Sequence, residues 1–152
     1  MSSKQQKLTD RDYWSKHWQN VPLPQYPQKN NYYDRCFTRL FGKYLSINKG
    51  SRAQRSVLEL GCAPGRFLAY LAREFNLSPC GIDYSLGGVA ATRKNLNKLK
   101  IKDYKIIQGD FFNYKFKQKF DVVLSNGVIE HFQGKKLQEI LGAVGKAPRY
   151  MV

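Results

Sequence analysis

From Ser56 onward, short apolar runs alternate with longer stretches whose apolar residues recur every three or four positions. The runs VLEL (57–60), PCGID (79–83), YKIIQ (104–108) and DVVLS (121–125) predict four strands. Between the first two lies RFLAYLAREF, with Phe67, Leu71 and Phe75 in line. Between the second and third lies SLGGVAATRKNLNKL, with Leu86, Val89, Leu96 and Leu99 at helical spacing. Both patterns predict helices, and Ser85 is a good N-cap for the second. Strands alternating with helices wind into right-handed βαβ units around a parallel sheet, so the expected class is α/β. After Gly134, KKLQEILGAVGK predicts another helix, and APRYMV reads as the opening of a fifth strand.

The first fifty residues are patterned differently. TDRDYWSKHWQ (9–19) predicts a short helix capped by Thr9, with Asp12 three positions on and acids at the positive end of the dipole. Tyr13, Trp14, His17 and Trp18 fall on one side of it. Pro22, Pro24 and Pro27 then exclude regular helix from VPLPQYPQ. Tyr33, Phe37, Phe41 and Tyr44–Leu45 recur at helical spacing and predict a second helix. The chain therefore divides into an N-terminal helical lid or cap segment, 1–50, and a sheet domain, 51–152. The aromatic helix has two readings, a lid over a bound ligand or an amphipathic helix packed on the sheet.

Composition narrows the class. No apolar run is long enough to span a bilayer, and MSSKQQKLTDRD lacks the apolar stretch of a secretory signal. Cys36, Cys62 and Cys80 form no CxxC pair, which argues for a reducing, cytoplasmic setting and against a disulfide framework. With two histidines besides, they make no metal site. The net charge of +15 invites a nucleic-acid reading, but no basic run exceeds two residues. Residues 1–50 hold 9 basic and 3 acidic residues, 51–100 hold 8 and 3, and 101–152 hold 9 and 5. A solvated, lysine-rich surface accounts for that spread.

The chemistry concentrates where VLEL runs into Gly61-Cys62-Ala63-Pro64-Gly65 and a helix. A glycine turn there lets backbone amides approach a ligand. A dinucleotide site would need glycine at 63 and 66, where this chain has Ala63 and Arg66, and a phosphate loop would need Gly-Lys-Ser/Thr. Both are absent, which leaves an adenosyl compound without a pyrophosphate. The second strand ends in Asp83, 18 residues after Gly65, where a carboxylate can accept ribose hydroxyls. The third ends in Gly109-Asp110, suited to an adenine amino group or to a purely structural turn. The fourth leads into Ser125-Asn126-Gly127 and Val128-Ile129-Glu130-His131-Phe132. His131 could serve as a general base or as a structural hydrogen-bonding group.

In order and spacing, VLELGCAPGRF, GIDYS, QGDFF and FDVVLSNGVIEHF resemble the successive motifs of class I S-adenosylmethionine-dependent methyltransferases. The resemblance covers Ser56 to Phe132 and implies a Rossmann-like, mostly parallel sheet ordered 3-2-1-4-5-7-6 in the whole family. Here it would be incomplete, with strands 3-2-1-4 and the start of 5 behind N-terminal helices. It implies S-adenosyl-L-methionine as cofactor. Gly61, Cys62, Ala63 and Gly65 would line its methionyl part, and Glu59 would help to hold the amino group. Asp83 would bind the ribose, Tyr84 and Phe111 would lie against the adenine, and Asp110 would meet its edge. Asn126 would border the sulfonium, with Glu130 and His131 as catalytic candidates beside the acceptor. Ala63 departs from the usual middle glycine.

The implied reaction is methyl transfer to a small-molecule acceptor, O- or C-methylation first. A nucleic-acid (RNA) methyltransferase is the second reading. It is disfavoured because Asn126 precedes Gly-Val rather than a Pro-Pro-aromatic clamp, and because no lysine-acid tetrad is legible. A non-catalytic S-adenosylmethionine-binding module is the third. On the resemblance, the chain stops inside the fifth strand, so turnover would be impaired. A missing C-terminal segment or a second chain would complete the sheet, and strand four would lie near an edge with apolar faces exposed.

Overall fold

The computed structural model describes residues 10–45, 54–128, 135, 138–139 and 150–151. Among these residues, five parallel strands form one sheet in the order β3-β2-β1-β4-β5. They are β1 (Ser56–Leu60), β2 (Ser78–Asp83), β3 (Lys105–Gln108), β4 (Val122–Ser125) and β5 (Tyr150–Met151). Helices among the described residues include α1 (Arg11–Gln19), α2 (Tyr32–Leu45), α3 (Arg66–Phe75) and α4 (Leu86–Lys98). The α/β class is the one the pattern predicts, and the order 3-2-1-4 followed by 5 is the one the resemblance implies.

Strand alternation sorts the core into two layers. Val57, Ile106, Val122 and Leu124 face α2, α3 and α4, meeting Phe41, Leu45, Phe67, Leu71 and Leu96. Leu58, Leu60, Ile82 and Val123 face the other way, toward Phe120 and the aromatics Phe111, Phe112 and Phe116 of the β3–β4 connection. Each fully buried side chain of this kind contributes about 1.5–3 kcal/mol. β4 lies near an edge of the described sheet, as expected, between β1 and the two-residue β5, but its apolar faces are not exposed as expected: Val122, Val123 and Leu124 are all buried between the two core layers.

Local chemistry sets the helix ends. Ser85 caps α4 by accepting from Gly88 N, as predicted. The N-cap of α1 is Asp10, whose Oδ1 accepts from Tyr13 N at 2.8 Å, one residue later than the expected Thr9, which lies outside the described residues. An aspartate also complements the positive helix end, which threonine does not. Asn31 Oδ1 accepts from Asp34 N at the start of α2.

The N-terminal helices are fastened to the sheet layer. α1 lies along α4 so closely that a Cβ on Gly87 would stand 2.1 Å from the Ser15 carbonyl oxygen. No residue of α1 is buried, and Tyr13, Trp14, His17 and Trp18 make a mutually stacked, half-open cluster. The proline segment is clamped by the buried Asn95, whose carboxamide accepts from Gln25 N at 2.6 Å and donates to Gln25 O at 2.9 Å. Such a two-point bond substitutes for a strand partner where Pro24 and Pro27 have no N–H to offer.

Candidate functional site

The carboxyl ends of β1, β2 and β4 converge on the turn Gly61–Gly65. Gly61 has φ +64°, and a Cβ there would sit 2.2 Å from Val128 Cγ2, so glycine serves both the backbone and the close approach of the residues after β4. Gly65, also left-handed, is the N-cap of α3. The turn's amides are used inside the fold. Gly61 N and Cys62 N both donate to Ile82 O, Gly65 N donates to Cys62 O, and Ala63 N lies 3.4 Å from Asp83 Oδ2. The amides of Gly61, Cys62 and Gly65 therefore have partners within the fold, and the turn is stitched to β2.

Two acids stand behind the turn. Glu59 is 4% exposed and its Oε2 has no hydrogen-bond partner. Burial raises its pKa to about 8, against a lowering by Arg66 and the Leu68 amide and a further raising by Asp83. Asp83 is buried, with Oδ1 accepting from Ser85 N at 2.9 Å and Ser85 Oγ at 2.7 Å. Its pKa is raised by burial, against the lowering effect of the bonds from Ser85 and Ala63. One oxygen of Asp83 thus builds the β2–α4 turn, while the other has only the long contact with Ala63. Cys62 is buried, and desolvation first, then Asp83 and Glu59, push its thiol well above the usual range.

The remaining candidates flank this pair. Tyr84 is half-buried, and burial first, then Asp83 and Asp10, raises its pKa against a lowering by Arg11. Phe111 is half-buried and stacks on Phe112 with ring centroids 4.7 Å apart. Asp110 is exposed, with Oδ1 accepting from Phe112 N and Oδ2 from Asn113 Nδ2, so the structural half of its two readings is present. Asn126 accepts through Oδ1 from the Tyr33 hydroxyl. Glu130 and His131 lie outside the described residues.

Three residues of this neighbourhood escaped sequence reasoning. Asp34, 2% exposed in the first turn of α2, pairs with Arg66 at 2.6 Å and accepts from Gln28 N at 2.8 Å. The Arg66 guanidinium also lies over the rings of Phe67, at 4.6 Å, and Tyr33, at 5.8 Å. Arg66, Asp34 and Tyr33 thereby tie the second helix to the turn and to the end of β4. The available signal was faint: an arginine directly after the glycine turn, and an acid on the otherwise apolar face of α2.

Comparison with known proteins agrees with this fold. Residues 57–147 match the model of a methyltransferase domain family. A curated relative, a probable (S)-tetrahydroprotoberberine N-methyltransferase 2 of Papaver bracteatum, is 29% identical over 84 residues, 55% of this chain and 24% of its own length. Among solved structures, a SAM-dependent methyltransferase of Geobacter sulfurreducens in complex with S-adenosyl-L-homocysteine superposes with a TM-score of 0.63 at 21% identity. The match covers 86% of this chain and 48% of that one. A SAM-dependent methyltransferase of Thiobacillus denitrificans, in the same complex, gives 0.59 at 23% identity over 73% and 43%. The chain spans about a quarter of the curated relative and less than half of these two structures.

Proposed function

The chain belongs to a methyltransferase domain family, and from that premise we propose that it binds S-adenosyl-L-methionine at the Gly61 turn and serves methyl transfer to a small-molecule acceptor. The observation that carries the reading is Glu59. A buried carboxylate with an unpartnered oxygen is costly unless a cation completes it, and the cofactor's methionyl ammonium is such a cation. Asp83 fits the ribose in the same way, through the oxygen that Ser85 leaves uncommitted. Tyr84 and Phe111 supply faces for the adenine, and Asp110 can accept at its edge through the lone pairs its turn does not use. Gly61, Cys62, Ala63 and Gly65 line the methionyl side, with their amides already satisfied within the fold.

When bound, the cofactor supplies a sulfonium-activated methyl group, so the chain's own part is binding, orientation and exclusion of water. Asn126, held by Tyr33, borders the acceptor side, and Glu130 and His131 follow it in sequence as the candidates for handling an acceptor proton. Residues 1–50 act as the cap, α1 lying along α4 and α2 holding the turn through Asp34. The relative from Papaver supports a small-molecule acceptor and adds an amine nitrogen to the oxygen and carbon atoms the sequence suggests. Titration calorimetry with S-adenosylmethionine and S-adenosylhomocysteine tests the assignment. Saturable heat that Glu59→Gln and Asp83→Asn each weaken at least tenfold is expected, and no heat from either ligand would overturn it.

A further inference from the structure

The positive charge is not spread evenly in space. Residues 93–119 carry nine basic residues against Asp103 and Asp110, a cluster that straddles residue 100 and so looks diluted in longer spans of sequence. All nine are exposed. The only ion pair among the described residues is that of Arg66 with Asp34, far along the chain, so none of the nine is neutralised by a described partner. Lys105 lies on β3, the outer strand at the opposite end of the described sheet from β5, and Lys115, Lys117 and Lys119 follow on the segment after it, whereas Lys94 and Lys98 line a separate crevice with Trp18 and Leu23. Arg93 reaches from α4 across to β3 and donates to Ile106 O at 2.9 Å.

Aromatic surface opens among these charges. After Asp110 the chain returns beside β3 as Tyr114-Lys115-Phe116-Lys117-Gln118-Lys119-Phe120, with the odd-numbered lysines exposed and Phe120 buried. A crevice of about 210 Å³ lies between this segment and the sheet, lined by Cys80, Ile107, Tyr114, Phe116, Lys105 and Lys117. Tyr114, 37% exposed, and Phe116 tilt against each other at 4.8 Å, offering ring faces at the mouth of a cationic slot. An ordinary solvated lysine face has no such slot, and an ordinary apolar crevice has no such charge. Aromatic faces interleaved with cations that track a backbone are the physical requirements for an unpaired polynucleotide strand.

We propose that the β3 edge is a docking surface for a single-stranded polynucleotide, with bases stacking at Tyr114 and Phe116 and phosphates met by Arg93, Lys105, Lys115 and Lys117. The inference rests on this surface alone and not on the cofactor assignment, so either can fail without the other. Fluorescence anisotropy of a labelled twelve-residue oligouridylate, titrated with the whole chain between 50 and 200 mM KCl, tests it. Binding is expected with a slope of log K against log salt of about −3, four contacts at roughly 0.7 each. The pair Lys105→Glu and Lys117→Glu should weaken binding at least tenfold, whereas Lys29→Glu with Lys43→Glu, the same charge change elsewhere, should weaken it less than threefold. Tyr114→Ala, which removes a ring but no charge, should weaken it about fivefold or more. No anisotropy change, equal losses for the two charge-reversed pairs, or full affinity in Tyr114→Ala would each overturn the proposal. So would equal binding of a duplex of the same length, or binding to anionic vesicles without binding to the oligonucleotide. Unchanged far-ultraviolet circular dichroism in each variant separates loss of the surface from loss of the fold.

Discussion

Replacing Glu59 by glutamine should stabilise the ligand-free chain while weakening its hold on the cofactor. The folded-state pKa of Glu59, about 8, lies above the ordinary 4.5, so the native chain keeps a proton that the unfolded chain releases. Stability from this group is therefore complete below about pH 4.5 and is lost progressively up to about pH 8. Each unit between those values costs about 1.4 kcal/mol, so by pH 7 the wild type has lost about 3 kcal/mol that a neutral isostere keeps. For a chain of this size that corresponds to roughly 6–12 °C in Tm. Urea or thermal unfolding of wild type and Glu59→Gln at pH 5, 6, 7 and 8 reads the difference directly, because the other titrating groups cancel. The gap should be small at pH 5 and widen steadily to pH 8. A gap independent of pH, or a variant less stable at pH 8, would refute the reasoning that desolvation dominates at this carboxylate.

The same proton predicts cofactor affinity. S-adenosylhomocysteine should bind the wild type about tenfold more weakly for each unit below pH 8, since only the ionised Glu59 pairs with an ammonium, and calorimetry in buffers of different ionisation enthalpy should show a proton released on binding. Asp83→Asn keeps an acceptor for Ser85 and should lower cofactor affinity at least tenfold with Tm nearly unchanged, whereas Asp83→Ala should lower both, which unfolding curves beside a ligand titration would show. Gly61→Ala should destabilise by about 2 kcal/mol or more through the Val128 clash and the left-handed backbone, and Val128→Ala in the same chain should recover part of that loss in urea unfolding. Phe41→Ala, which empties a fully buried position between α2 and α3, should cost about 3–5 kcal/mol by the same measurement.

Periodicity alone was enough to place β1 to β4, α3 and α4, because two alternating faces and a 3.6-residue stripe are local consequences of which side of each element is buried. Ser85 was legible as a cap for the same reason, since its partner, Gly88 N, is three residues away. The order of motifs identified Glu59, the Gly61 turn, Asp83, Asp110 and Asn126 as neighbours at one edge of the sheet, because parallel strands place their carboxyl ends together. What those residues do to one another was decided only in three dimensions. Whether Glu59 holds a proton depends on desolvation by surrounding layers and on Arg66, and whether the turn's amides are open depends on Ile82 from the next strand. Asp34 with Arg66, Tyr33 with Asn126, and Asn95 with Gln25 join positions 32, 93 and 70 residues apart, and no local preference marks such pairs. The basic edge is of this kind too. Its charges were countable in the chain, but only the packing of α4 and the β3–β4 segment beside an outer strand brings Arg93 to that strand and Lys105 and Lys117 to two aromatic rings.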